Sequence, residues 1–230
     1  MLDPLPCELL SAAGWVLTDS QFKQLSEFAS LIRRYQPVLS LVSQRDLALL
    51  EQVHVVDALS LAPMILECGP REGLLLDIGT GAGFPAIPLK VALPELEVVM
   101  VERQTKRVGF LQKVVGALGL QNVSIAEVDF PRGFAPVRAR WVTARAVEKP
   151  DKVTYSILEY LPEGAIWFNQ MGHPGELLGE RFHVEPSTGI GSIRGRRFHV
   201  EPVQDAWSDA NLRRGRLWRV WRAADPSHPE

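Results

Sequence analysis

Three glycines in five residues, Gly79, Gly81 and Gly83, stand between a short apolar run and a helical pattern. Glycine adopts backbone conformations closed to other residues and lets the chain pass close to a ligand. The free N–H groups at a following helix start favour a negative group. Three acids surround the turn. Asp77 ends the preceding apolar run, two residues before Gly79, and Glu102 ends the next run, nineteen residues after Gly83. An acid at Glu102's place can accept two ribose hydroxyl hydrogen bonds, as in nicotinamide and adenosylmethionine proteins. Asp129 follows a third run, where an adenine amino group is met. Asp77 would repel a pyrophosphate but suits a cationic amino-acid or sulfonium end. Gly81-x-Gly83-x-x-Ala86 formally fits the dinucleotide fingerprint, yet Asp77 and the early position of Gly79 fit that reading poorly.

The elements that must position these residues are legible around them. Leu74-Leu75-Leu76 and Val98-Val99-Met100-Val101 are short apolar runs, each followed by an acid, as buried parallel strands are. Between them, 85–93 reads as a helix with proline in its first turn, stopped before Pro94. A helix over 105–118 is closed by Gly119. Strands are expected over 123–128, 140–144 and 165–169, with a helix over 151–161. Alternating strands and helices give a doubly wound α/β architecture, a mostly parallel sheet with helices on both faces. Residues 1–70 read as an N-terminal helical cap, and 71–230 as the sheet-bearing domain, compact with it. In the cap, Thr18 starts a helix expected to end before Pro37. A second helical pattern runs over 45–66, broken near Val53.

The bulk numbers suit this picture. The chain has 230 residues, 46% hydrophobic and 23% charged, enough to bury a core without metal or disulfide. No apolar run of membrane-spanning length and no signal-peptide pattern occur. Cys7 and Cys68 read as reduced cytosolic thiols, and no metal-ligand spacing surrounds them. The net charge is −2, which argues against strong non-specific nucleic-acid binding. Its distribution is uneven, −4 over residues 1–70 and +5 over 194–222. The latter comes from arginines 194, 196, 197, 213, 214, 216, 219 and 222. Guanidinium suits phosphate and stacks on bases, so Arg196 and Arg197 are RNA-contact candidates.

The last third repeats itself, with Arg-Phe-His-Val-Glu-Pro at 181–186 and again at 197–202. Alternation puts Phe182 and Val184 on one face and His183 and Glu185 on the other. A local duplication adding a hairpin or strand beside the sheet is expected. The stretch 216–222, Arg-Leu-Trp-Arg-Val-Trp-Arg, reads as a packed edge strand rather than a base-stacking platform.

The run Leu76-Asp-Ile-Gly-Thr-Gly-Ala-Gly-Phe-Pro-Ala-Ile-Pro-Leu89 resembles the signature of the glucose-inhibited division protein B family. These are the small-subunit ribosomal RNA methyltransferases G. Lys106-Arg107-x-x-Phe110-Leu111, His54-x-x-Asp57-Ala58-Leu59 (Ala for the family's Ser) and Arg145-Ala146 match further motifs, over roughly residues 20–172. The resemblance implies a Rossmann-like S-adenosylmethionine-dependent methyltransferase fold. It also implies N7 methylation of one guanosine in small-subunit (16S) ribosomal RNA. Cofactor contacts would fall on Gly79, Phe84, Arg145 and the backbone at Phe130-Pro131. Apart from the resemblance, Lys106 and Arg107 are RNA-contact candidates, with a solvated helix face as the alternative. Guanine N7 already holds a lone pair, so positioning can supply most of the rate and no strong base is required. No catalytic residue is assigned, and Arg145 and Asn169 are the candidates for positioning. The chain departs from the family at Phe130-Pro131, where proline removes a backbone donor. It departs again at Asn169-Gln170-Met171-Gly172, where the family carries a lysine. A small-molecule methyltransferase and a catalytically diverged RNA-binding relative stay open on the same fold. The chain is expected to work as a cytoplasmic monomer, off the membrane and without metal.

Overall fold

The computed structural model describes residues 10–11, 14–69, 73–145, 149–205, 207 and 216–223. Cys7, Ala146, Arg213 and Arg214 lie outside them.

The cap opens with α1 (Asp19–Leu39). Thr18 Oγ1 accepts from the Gln21 amide at 3.2 Å, and Gln21 Oε1 accepts from the Thr18 amide at 2.9 Å. This reciprocal box satisfies two of the amides that a helix start leaves unpaired. The expected stop before Pro37 is corrected, because the helix runs two residues beyond it. Pro37 sits in the last turn, where one helical bond is lost. The end is then closed by the Ser40 amide on Gln36 O at 2.9 Å. The buried Gln36 carboxamide also holds Val42 by both N and O, at 3.0 and 2.7 Å. Short helices follow, α2 (Gln44–Ala48), α3 (Val56–Leu59) and α4 (Ala62–Glu67). A π-helical turn, Glu51–Val55, interrupts them where the sequence pattern breaks.

The strands are β1 (Gly73–Ile78), β2 (Leu96–Glu102), β3 (Val123–Glu127), β4 (Trp141–Ala144), β5 (Ile166–Asn169), β6 (His183–Glu185), β7 (Ile190–Ile193), β8 (Arg196–Pro202) and β9 (Trp218–Arg222). Among them lie α5 (Ala86–Ala92), α6 (Thr105–Leu118), α7 (Pro150–Tyr160) and α8 (Pro174–Leu178). They form one sheet in the order β3-β2-β1-β4-β5-β9-β8-β7-β6. The pairings among β1 to β5 are parallel, and those from β5 outward are antiparallel.

Successive side chains of the parallel strands enter different cores. Leu75, Val98, Met100, Trp141 and Phe168 face Phe28, Ile32, Val56, Ile65 and Phe110 of the cap and α6. Leu76, Val99, Val101, Val142 and Trp167 face Ile157 and Leu158 of α7. Both faces are covered, which is why these strands read as continuous apolar runs. Cap and sheet share the first core, and each large side chain buried in it contributes about 1.5–3 kcal/mol.

The terminal stretch departs from expectation. β9 is not an edge strand, because β8 covers the side that β5 does not. Val220 is fully buried, and Trp221 stacks on His199 with ring centroids 4.9 Å apart. The two hexapeptide copies enter β6 and β8 and flank β7 from opposite sides, with Val184 and Phe198 both paired to Gly191. The copies lie sixteen residues apart in sequence but stand level at fourteen in the sheet, His183 with Arg197 across Ser192. The difference of two preserves the face of every side chain. Phe182 and Phe198 therefore share one core, 6.1 Å apart edge to face.

Candidate functional site

Two cavities open at the carboxyl ends of the parallel strands, the place where open α/β sheets bind ligands. Their volumes are about 830 and 550 Å³, and both are lined by Gly79 and Arg107. The glycine turn between β1 and α5 separates them. Gly79, Gly81 and Gly83 have φ of +69°, +59° and +96°. At Gly83 a Cβ would also stand 2.7 Å from the Ile87 side chain, so glycine is required there for space as well. The turn is anchored from β2 by the Gly79 and Thr80 amides, which both donate to Val101 O at 2.9 and 3.1 Å.

Glu102 lies under the smaller cavity and is buried. One carboxylate oxygen accepts from the Gly81 amide at 3.1 Å and the other from the Gln104 amide at 2.9 Å. Each oxygen keeps a further lone pair for a ligand. Asp129, Phe130 and Pro131 line the same cavity. The Phe130 ring packs edge-on to Tyr160 at 5.6 Å, and the Tyr160 hydroxyl donates to Val137 O at 2.8 Å.

Asp77 lines neither cavity and has no exposed surface. Thr143 donates to its Oδ1 at 2.8 Å, while Oδ2 has no hydrogen-bond partner among the described residues. Burial pushes the carboxyl up to about 7, against the opposing pull of Thr80, Thr143, the Ala86 amide and the Arg145 charge.

The larger cavity joins three distant segments. Arg145, after β4, donates from Nη1 to Asp57 Oδ2 at 2.5 Å, and its Nη2 meets His54 Nδ1. Arginine only donates, so Nδ1 accepts and the His54 proton lies on Nε2, 3.4 Å from Asp46 Oδ2. Phe84 stacks under this group, 5.1 Å from the His54 ring and 5.8 Å from the Arg145 guanidinium carbon. Arg145 and Asp57 side chains are 9% and 2% exposed, so this is a buried pair. Breaking such a pair is costly because a charge is left stranded. His54 and Asp57 thus fasten cap to sheet.

Asn169 is fully buried and lines neither cavity. It shapes the loop after β5, accepting from the Met171 amide at 2.9 Å and donating to Gly172 O at 2.7 Å. Its neighbours Gln170 and Met171 line the larger cavity. On α6, Lys106 is exposed, while Arg107 reaches both cavities and donates to Ser40 O at 3.5 Å.

Arg196 and Arg197 are not brought to either cavity. β8 pairs with β9 so that Pro202 lies level with the carboxyl end of β5 and Phe198 lies near its amino end. Both arginines therefore stand at the far end of the sheet, where Arg196 donates to Glu159 O. Charge missed by the sequence reading gathers at the smaller cavity instead. Arg103, Arg132, Lys149 and Lys152 line it with Arg107. They come from loops after β2, β3 and β4 and from the first turn of α7. The signal that could have found them is the position of such loops, not any local cluster. Among the described residues, no group of three or more His, Cys, Asp or Glu side chains could hold a metal ion, and Cys68 is half-buried and unbridged.

With this geometry in place, comparison with known proteins decides the family. The family model for rRNA small subunit methyltransferase G, GidB, matches residues 21–175. The chain belongs to this family. A curated member from Neisseria meningitidis serogroup B is 30% identical over 174 residues, covering 74% of this chain and 80% of that protein. One from Leuconostoc citreum is 39% identical over 116 residues, 50% of this chain and 48% of that protein. The chain thus spans about half the length of the Leuconostoc relatives it matches. Among solved structures, MtNAS in complex with MTA and tNA aligns at a TM-score of 0.53 and 18% identity, covering 88% of this chain and 71% of that one. That likeness carries the fold. Within the matched span, Gly79 and Arg107 line both cavities, and His54, Asp57, Phe84 and Arg145 line the larger one. Among the described residues, no helix is long and apolar enough to cross a membrane.

Proposed function

We propose that this chain methylates guanine N7 of one guanosine in small-subunit ribosomal RNA, using S-adenosylmethionine, as a monomer in the cytoplasm. The observation that carries the reading is a pair of cavities meeting at Gly79, one floored by a buried carboxylate and the other by an arginine. The residues fit the cofactor. Glu102 has lone pairs for two ribose hydroxyls, with Asp129 and the Phe130-Pro131 backbone at the adenine side. The turn at Gly79, Gly81 and Gly83 admits the chain's close approach, while Asp77 lies sealed beneath it, away from both cavities, so the expected contact of Asp77 with the cofactor is corrected. Phe84 and Arg145 face the larger cavity, where the acceptor enters.

The cofactor supplies an electrophilic sulfonium methyl. The chain's own residues orient the base and keep water out. N7 already bears its lone pair, so holding it in line supplies most of the acceleration. Cofactor and guanine carry no phosphate, yet five cations line the smaller cavity. A nucleic-acid backbone crossing its mouth accounts for them.

The test is transfer of labelled methyl from S-adenosylmethionine to small-subunit RNA, mapped by cleavage at N7-methylguanosine. One labelled guanosine is expected. Cofactor binding with no transfer to free RNA or assembled subunits would sink the reading and favour a small-molecule acceptor.

A further inference from the structure

The loop after β5 holds a carboxamide of fixed polarity at the larger cavity. Gln170 Nε2 donates to Asp57 Oδ2 at 3.3 Å. A carboxylate only accepts, so it dictates which end of the carboxamide faces it. That same oxygen accepts Arg145 Nη1 at 2.5 Å, so the carboxylate is itself held from the other side. Asn169 locks the backbone beneath, through Met171 N and Gly172 O. Gln170 lines the 830 Å³ cavity. With one Nε2–H committed, Oε1 and the second Nε2–H are left, and among the described residues no donor is bonded to Oε1. The cavity thus presents a carbonyl acceptor on a side chain whose amide cannot flip without setting oxygen against a carboxylate.

We propose that Gln170 selects guanine at the acceptor position, its Oε1 accepting from N1–H and the exocyclic amine of the target base. This rests on the guanine-N7 reading above. Guanine carries N7 on the edge opposite N1 and the amine, so a residue holding that far edge leaves N7 turned toward the methyl donor. Adenine and cytosine present a single amine donor beside a ring-nitrogen acceptor at this edge, so the paired donors of guanine are lost and the ring nitrogen would face Oε1 as a second acceptor. A buried polar group left unpaired costs about 1–3 kcal/mol, which is the source of the discrimination.

The probe is a small-subunit RNA fragment carrying guanosine or inosine at the mapped acceptor. Inosine keeps N7 and N1–H and lacks the amine. The unmodified protein should methylate the inosine RNA about tenfold more slowly in kcat/KM. Gln170→Leu should lose about tenfold or more on guanosine and bring guanosine and inosine to the same rate. Its cofactor affinity, read by calorimetry, should equal that of the parent protein. Equal rates on the two RNAs with the unmodified protein would overturn the proposal while leaving guanine-N7 methylation intact. So would a Gln170→Leu variant that still prefers guanosine tenfold. No transfer to the guanosine RNA by the unmodified protein would overturn both.

Discussion

Around the smaller cavity, Arg103, Arg132 and Lys149 from three loops, Arg107 from α6 and Lys152 from the first turn of α7 converge on one concave mouth. At the other end of the sheet, Arg194, Arg196 and Arg197 arrive together from the β7–β8 turn and its strand. Arg194 pairs with Glu159 at 2.5 Å and lies over the Tyr155 ring, and Arg196 donates to Glu159 O. Arg219 on β9, level with Phe168 toward the carboxyl end of β5, meets Glu201 at 3.4 Å. Cations converging on a mouth reinforce one another's field and attract an anionic chain. Cations on an exposed strand pair with their neighbours, and such pairs are worth little. Density along the sequence marks the second group, and convergence in space marks the first. The two halves of the sheet divide in the same way. The parallel half lines both cavities, and the antiparallel half packs side chains.

This division can be broken at its strongest point first. Gly79→Arg places a bulky side chain at φ +69°, between both cavities. Cofactor affinity measured by calorimetry should fall at least about 100-fold, or about 2.7 kcal/mol. Retained binding would remove the glycine turn from the site. Asp57→Ala strands the Arg145 charge and should cost about 3 kcal/mol in denaturant unfolding. A loss under 1 kcal/mol would mean that the cap is not fastened through this pair.

Asp77 tests the parallel half by pH. Its folded value of about 7 is raised above the ordinary 3.8. Between the two the folded protein holds a proton that the unfolded chain has lost, so stability from this group falls as pH rises toward 7 and is flat above it. Asp77→Asn removes that dependence. Its advantage over the parent protein in unfolding free energy should grow by about 2 kcal/mol from pH 5 to pH 8. A pH-independent difference would show that the carboxyl is ionised throughout.

In the antiparallel half, a Cβ at Gly191 would stand 2.3 Å from the buried Phe182 ring. Gly191→Ala should cost about 1–2 kcal/mol in stability through overpacking and leave cofactor affinity unchanged. Last, Arg132→Glu with Lys152→Glu should weaken RNA binding about tenfold and lower the slope of log K against log salt by about one to two. Arg196→Glu with Arg197→Glu should change it less than about twofold. The reverse ranking would exchange the roles of the two basic regions.

The sequence carried the parallel half well, because its signals are local. The Gly79 turn, the acids closing β1 and β2, and the Gly119 helix stop each depend on neighbours within a few residues. Pro37 misled because its effect depends on where the helix ends, which Gln36 and Val42 settle through a side-chain clamp. β9 was misjudged because its second partner, β8, is defined only by long-range pairing. Asp77 is polar and strand-terminal, which says nothing of the depth at which the turn covers it. Arg145 and Asp57 lie 88 residues apart, and their joining was invisible to spacing. Of the cations of the smaller cavity only Arg107 was singled out, since Arg103, Arg132, Lys149 and Lys152 are scattered through the sequence and meet only in the fold.

The repeated hexapeptide has a consequence for how this chain can change length. From Arg181 to Arg196 the protein carries a sixteen-residue block whose first six letters recur immediately after it. Excision of that block would join Glu180 directly to Arg197 and still read Arg-Phe-His-Val-Glu-Pro across the seam. The strand left behind, β8, is the one that already pairs with β9. The two outermost strands therefore form a cassette that can be removed or copied as a sixteen-residue unit, with the cavity-lining half untouched.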